Sequence, residues 1–378
     1  MNLAGIPGKI YVKSFALINN YGKANESRNE VWNLVVGMTI YENIFSDTMF
    51  GVAKFRDSYN LYSTLPITTD TYVYVELEDP TIGKTVHGLY KVYKVSQIEM
   101  TSPKLQSYLV QFISIEMFNG RRTRITEHVT GNLPGVVEKL HKLISKKKIV
   151  VTKDAAKTNL LLPYLPPLSA IHMLVENAKW RAATPDYCYW ETFDQFNFKS
   201  LASCMLESPV HEISTNQQLQ PGTYDTFGIE DFTKINDLVV PQTFDSINML
   251  YNGYSGSTTY TYDPLTGTCH FDVAGEEPLA KTYIYSDRAL DYPSIAKRQQ
   301  LLRSITNTYY HIAVPGMLNR SCGDVANVHV LLGNTLGTVD TTLSGKRLIC
   351  GIAHRITTDK YSQHITLGDY YLAKSASA

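Results

Sequence analysis

A mainly β protein with a smaller α/β part is the fold class this sequence predicts. Three observations lead there. Strand-like segments fill roughly the first third of the chain, apolar spacing then switches to a helical period, and strand patterns return at the C-terminal end.

In the first region, residues 9–17, 33–41 and 50–55 are rich in apolar, β-branched and aromatic residues. Residues 71–78, reading TYVYVELE, alternate with period two, as a sheet with one buried face requires. Residues 89–98 and 107–115 are two further strands. The short Pro-containing turn at 101–104 between them predicts a hairpin. No helix is expected before Phe118.

In the middle region, Val136, Val137, Leu140, Leu143 and Ile144 fall at helical spacing behind Pro134, which is tolerated in a first helical turn. Lys146, Lys147 and Lys148 read as a solvated helix end, where cations oppose the negative pole of the dipole. Residues 160–167 form an apolar, Pro-rich connector. Ser169 is expected to cap a second helix over 170–179, with Ile171, Leu174, Val175 and Ala178 on one face. Residues 187–192 and 197–201 predict a hairpin about 193–196.

Residues 204–222 are polar and weakly patterned. Strand character returns at 235–240 and 249–262, and a turn follows at Asp263-Pro264. Short strands and turns are expected over 268–291. A helix over 294–305 carries Ile295, Leu301, Leu302 and Ile305, and strands are expected at 308–314, 325–332, 347–355 and 363–371.

The two β regions echo one another. An alternating strand near residue 70 leads to Gly88 and the segment 88–98, a short turn, then 107–114. An alternating strand near residue 325 leads to Gly345 and the segment 345–356, a short turn, then 362–367. Strand order and spacing agree although identity is low. Two related β-barrels in one chain are therefore expected, with the α/β module between them.

Composition narrows the function. The 378 residues are 44% hydrophobic and 19% charged, which is globular and long enough for several modules. Thirty-five basic residues balance 35 acidic ones, so no global field exists to hold nucleic acid by counterion release. Tyr is abundant, 26 against 13 Phe, which suits half-buried strands and interfaces. The five cysteines, Cys188, Cys204, Cys269, Cys322 and Cys350, show no metal spacing and read mostly as small buried hydrophobes. No apolar run resembles a signal peptide or a membrane span, so a product made in a cytoplasm is expected.

Three places in the chain offer candidate catalytic or binding groupings. His354 and His364 lie on the arms of the last hairpin and suggest a metal pair, but the pattern supplies no third ligand. Asp57, Glu76 and Glu78 offer carboxylates of the kind used in glycoside hydrolysis, at a separation the sequence does not set. Gly253-x-x-Gly256 lacks the strand-to-helix context of a phosphate loop. No catalytic, cofactor-binding or metal residue is assigned, no cofactor is expected, and the chain reads as a non-enzyme.

The run 294–316, ending in Val314-Pro315-Gly316, continues to Cys322-Gly323-Asp324-Val325. With the closing hairpin 349–356 and 361–367, it resembles the barrels of central baseplate hub proteins of contractile-tailed phages. Residues 244–248, 252–257 and 262–266 are similar to a segment of the same hubs, and 41–62 with Gly51, Phe55 and Asp57 to their opening strands. The resemblance covers most of the chain through degenerate motifs. It implies two tail-tube-like barrels per chain, over 1–118 and over 204–263 with 303–378. An α/β module would span 119–203, and an insertion domain 264–302. It also implies a homotrimeric ring of pseudo-sixfold symmetry in the virion baseplate. The ring would join the tail tube, or a tube-initiator protein, to the central spike protein, with baseplate wedge proteins outside. The tape measure protein and then DNA would pass through its lumen. The opposing readings are a tail-associated cell-wall hydrolase and a carbohydrate-binding tail protein.

Overall fold

The structure is a computed structural model that describes residues 8–65, 67–102, 105–153, 157–181, 184–215, 233–240, 256–263, 268–275, 280–285, 298, 301–302, 305, 309–331, 339–341 and 343–369. The first region forms β1 (Tyr11–Asn19), β2 (Ser27–Glu30), β3 (Val35–Asn43), β4 (Phe50–Asp57), β5 (Thr71–Asp79), β6 (Lys84–Ser102) and β7 (Leu105–Ser114). Two helices depart from the sequence expectation: a single turn, α1 (Leu61–Thr64), and α2 (Ile115–Arg122), which begins where β7 ends, before Phe118. Alternation places Val73, Val75 and Leu77 of β5 inside, with Phe15, Phe55, Tyr90, Tyr108 and Phe112 around them. Full burial of each large side chain contributes on the order of 2 kcal/mol.

The middle region holds β8 (Ile125–Asn132), α3 (Leu133–His141), β9 (Lys148–Val151), β10 (Lys157–Leu165), α4 (Pro167–Asn177), β11 (Tyr187–Glu191), β12 (Gln195–Ser200) and α5 (Leu201–Leu206). The 160–167 connector is largely strand β10, which pairs with β8. Its near-continuous apolar run hides the alternation that marks a strand. Ser169 lies inside α4, whose N-cap is Pro166 with Pro167 in the first turn. The hairpin forms as β11 and β12, with Trp190 opposite Asn197, and β9 adds in parallel to β12. Val137, Leu140, Ile171 and Leu174 of the two helices pack with Tyr189, Phe196 and Phe198 of this small sheet.

The last region contains β13 (His211–Ser214), β14 (Asp237–Val239), β15 (Gly256–Asp263), β16 (Thr268–Gly275), β17 (Ala280–Tyr285), β18 (Tyr309–Pro315), β19 (Val325–His329), β20 (Gly345–Thr357) and β21 (Tyr361–Gly368). Residues 216–222 of the weakly patterned stretch, and 244–248 and 252–255 of the segments similar to hubs, lie outside the described residues, as does most of the 294–305 helix. Gly256–Asp263, read from sequence as the end of the second barrel, pairs instead with β16 and β17 in a separate three-stranded sheet.

The echo between the two β regions is realised strand by strand. The antiparallel order β3-β4-β7-β6-β5 repeats as β14-β18-β21-β20-β19. Gly88 stands opposite Val75 and Gly345 opposite Val328. A bulge falls between Val92 and Lys94 of β6, and another between Ile349 and Gly351 of β20. The chain entering each unit crosses it alike: Val31 N–H donates to the Phe15 carbonyl at 2.9 Å, and Ile235 N–H to the Ser214 carbonyl at 2.8 Å. The sixth strand differs, since β1 runs antiparallel to β5 whereas β13 runs parallel to β19.

The two units are not separate bodies. The second half of β20 pairs with β3, from Gly351 opposite Asn43 to Thr357 opposite Gly37. One 13-stranded sheet results. Ile356 and Tyr361, from the last hairpin, complete the core of the first unit.

Candidate functional site

The most elaborate polar arrangement lies where the two β units and the α/β module meet. Glu42 of β3 is buried. Its Oε1 accepts from Phe193 N–H at 3.2 Å, and its Oε2 from Cys322 N–H at 3.1 Å. His354 Nε2 stands 3.7 Å from Oε1, and His354 Nδ1 lies 2.9 Å from the Tyr361 hydroxyl. Gln363 Nε2 donates to the Met317 carbonyl at 2.8 Å, while Arg320 donates to Gln363 Oε1 at 3.0 Å.

A second carboxylate repeats the device. Glu191 of β11 accepts from Met49 N–H at 3.0 Å and from Lys147 Nζ at 2.6 Å. Burial pushes the Glu191 carboxyl above its ordinary range, and Lys147 pulls it partly back. Burial works to lower the Lys147 ammonium, but Glu191 outweighs it and the net displacement is upward. Lys147 is therefore not part of a solvated helix end: it turns inward to neutralise a buried carboxylate, as burial of either charge alone demands. Trp190 closes the seam, its indole N–H donating to the Cys322 carbonyl at 3.0 Å.

Glu42, Glu191, Gln363 and Lys147 are engaged by partners from other parts of the chain, which ties the modules together, while the buried His354 Nε2 has no hydrogen-bond partner among the described residues. His354 and His364 do not converge. His354 sits opposite Gln363 and His364 opposite Ala353, so adjacent positions send the two rings to opposite faces. Asp57 is buried and accepts from Tyr59 N–H at 3.0 Å, whereas Glu76 and Glu78 alternate with the buried residues of β5 and face outward. Glu78 pairs with Lys13 at 2.5 Å, and Glu76 accepts from the Tyr74 hydroxyl at 3.0 Å. Among the described residues no three His, Cys, Asp or Glu side chains form a metal site, and no helix is long and apolar enough to cross a membrane. Of the Gly253-x-x-Gly256 pair, Gly253 lies outside the described residues and Gly256 opens β15.

Cys188, Cys204, Cys322 and Cys350 are buried thiols, as the sequence suggested. Burial pushes Cys188 up to about 11, and Cys204 and Cys350 up to about 12. A polar cleft of about 180 Å³ lies beside the seam, but its charged walls are engaged: Lys84 with Asp194 at 2.5 Å and Asp324 with His211 at 3.0 Å. Sequence reasoning missed Glu42 and Glu191 because each sits in an ordinary strand pattern. Only the fold reveals what they touch.

No family model matches the chain, and no curated protein matches it. Solved structures do. A prophage MuSo2 43 kDa tail protein from Shewanella oneidensis matches with a TM-score of 0.58 at 11% identity, over 94% of this chain and 99% of that one. A tail protein from Neisseria meningitidis MC58 matches with a TM-score of 0.56 at 11% identity, over 94% and 97%. A Francisella PdpA–VgrG complex matches with a TM-score of 0.50 at 10% identity, over 97% of this chain and 59% of that one. At such identities the likeness is one of fold, and it spans nearly the whole chain: this protein has the mainly β, barrel-rich fold of phage tail proteins.

Proposed function

We propose that the chain is a structural central hub of a contractile phage tail baseplate, with no catalytic role. Three copies form a ring of six equivalent β units that continues the tail tube, or its initiator, on one face and seats the central spike on the other. Wedge proteins surround it, and the tape measure and DNA pass through its lumen.

The observation that carries this reading is the doubled five-strand unit fused into one sheet through β20 and β3. A chain carrying two equivalent units offers a threefold assembly the means to mimic a sixfold tube, and closed rings leave no exposed sheet ends. The fold shared with tail proteins supports the setting. The balanced charge of 35 basic and 35 acidic residues suits a channel wall that must release DNA.

In this reading the first barrel covers 1–118 and the α/β module 119–203. The second barrel covers 204–263 with 303–378, around an insertion over 264–302. The pairing of Gly256–Asp263 with Thr268–Gly275 supports starting the insertion near 256.

Mass photometry and negative-stain microscopy of the purified chain test the proposal. A ring-shaped trimer is the expected result. A chain that stays monomeric at all concentrations overturns the ring, and peptidoglycan clearing in a zymogram overturns the structural reading in favour of a cell-wall hydrolase.

A further inference from the structure

The doubled unit specifies which surfaces join neighbouring copies. Within one chain, β20 offers two segments on the same edge: its first residues pair with β19, and its second half pairs with β3. β6 is the equivalent strand of the first unit. Its first residues pair with β5, and that pairing ends at Tyr72 opposite Lys91. Beyond this point, among the described residues, no strand lies on that edge of β6, although its other edge pairs with β7 as far as Ser102.

The side chains record the difference. Ile356, on the paired half of β20, is 0% exposed. Its equivalent on β6 is Met100: Ile356 stands opposite Tyr361 of β21, and Met100 opposite the matching Gln106 of β7. Met100 is 73% exposed, with Ile98 at 48% and Tyr93 at 46%. Met100 is thus exposed where its counterpart Ile356 is core, on a strand half whose Lys94, Gln97 and Glu99 are also exposed and which bulges between Ser96 and Glu99.

The complementary surface is β14. It occupies in the second unit the place of β3 in the first, with Leu238 opposite Ile312 as Met38 is opposite Ala53. β3 has β20 on its outer edge, whereas β14 ends the sheet and, among the described residues, has no neighbour there. Val239 of β14 is 49% exposed. Within one chain β14 and β6 are not paired with each other: six strands stand between them in the sheet order.

We propose that the second half of β6 docks antiparallel onto β14 of a second copy, in the register by which β20 meets β3. Met100 then faces Leu238 of the neighbouring copy, as Ile356 faces Met38 within the chain. The contact is heterologous, one edge meeting a different edge. It extends the sheet by main-chain hydrogen bonds and closes when the rotation per chain completes a circle. This proposal rests on the ring reading and adds to it the strands and the register.

The test is the full-length double variant Met100→Cys with Leu238→Cys. Residues directly opposite in antiparallel strands hold their Cβ atoms about 4.5–5.5 Å apart, within reach of a disulfide after small adjustment. Mild oxidation is expected to give monomer, dimer and trimer bands on a non-reducing gel and nothing larger. Either single variant should give no trimer band. A trimeric ring by mass photometry in which the double variant does not cross-link overturns the docking strand while leaving the ring reading intact. Absence of any oligomer removes both. As a second measure, Met100→Lys buries a charge in the contact. It should raise the concentration at which the assembly half-dissociates by at least about tenfold, with the monomer's thermal melt unchanged. An unchanged dissociation profile assigns the exposed segment to a different partner protein and overturns the proposal.

Discussion

The Glu42 carboxylate accepts the backbone N–H of Cys322 at 3.1 Å, joining residues 280 positions apart in the chain. It also accepts from Phe193 of the α/β module. One side chain thus satisfies main-chain donors from two other parts of the molecule. Glu42→Ala leaves both donors buried without an acceptor, at about 1–3 kcal/mol each. A loss of about 3 kcal/mol in unfolding free energy is expected from urea denaturation. A loss below about 0.5 kcal/mol, typical of an ordinary surface substitution, would show that Glu42 does not join the units.

Lys147 and Glu191 form the second tie, and its loss has a pH signature. Lys147→Met leaves Glu191 buried and uncompensated, a change that destabilises by about 3–5 kcal/mol near neutrality. The Glu191 carboxyl already lies above its ordinary value of 4.5 because of burial, and removal of Lys147 raises it further. Between the ordinary and the folded value, the folded chain keeps a proton that the unfolded chain releases. Stability of the variant therefore falls as pH rises through that window and recovers toward pH 4.5. Urea midpoints at pH 5 and pH 8 should show the deficit relative to the parent shrinking at the lower pH. A deficit independent of pH would contradict the assignment.

Gly323 has φ +92°, and an added Cβ would lie 2.5 Å from Trp190 Cζ2. Gly83 also has a positive φ, +63°, with nothing within 4 Å. The pair separates backbone strain from crowding. Gly83→Ala should cost about 1 kcal/mol through its backbone alone. Gly323→Ala adds overpacking against the indole and should cost about 2–4 kcal/mol. Denaturation midpoints measure both, and Trp190 fluorescence should change only in Gly323→Ala. Equal costs for the two would mean the indole moves aside freely.

How much of this was readable from the chain follows from how local each signal is. Alternation over 71–78 placed β5, helical spacing placed α3 and α4, and the echo about Gly88 and Gly345 anticipated a doubled unit whose register agrees. The fusion of β20 with β3 was not readable, because an exposed strand edge and a paired one carry the same alternation. Lys147 was misread for a related reason. A lysine run looks solvated until a buried Glu191, 44 residues on, is brought to it by tertiary packing. Strand β13 escaped notice because four residues paired in parallel with β19 leave almost no periodicity to detect.

Two histidines of the α/β module provide the last prediction, since their environments push them apart. His172 of α4 places Nε2 2.8 Å from Asp47 Oδ2, beyond the end of β3. That hydrogen bond raises its proton affinity above the ordinary 6.5, against the opposing effect of burial. His141 of α3 is lowered from 6.5, chiefly by burial. Because the folded value of His172 exceeds the unfolded one, the stabilisation it brings is fully present below about pH 6.5. It is lost as pH rises through the folded value. The link between α4 and the first unit therefore weakens on the alkaline side. An NMR titration of the imidazole Cε1–H signals should place the His172 midpoint above that of His141. In Asp47→Asn the His172 midpoint should drop, because burial then acts without the carboxylate, while His141 stays where it was. Unmoved His172 in that variant would show that Asp47 is not its partner in solution.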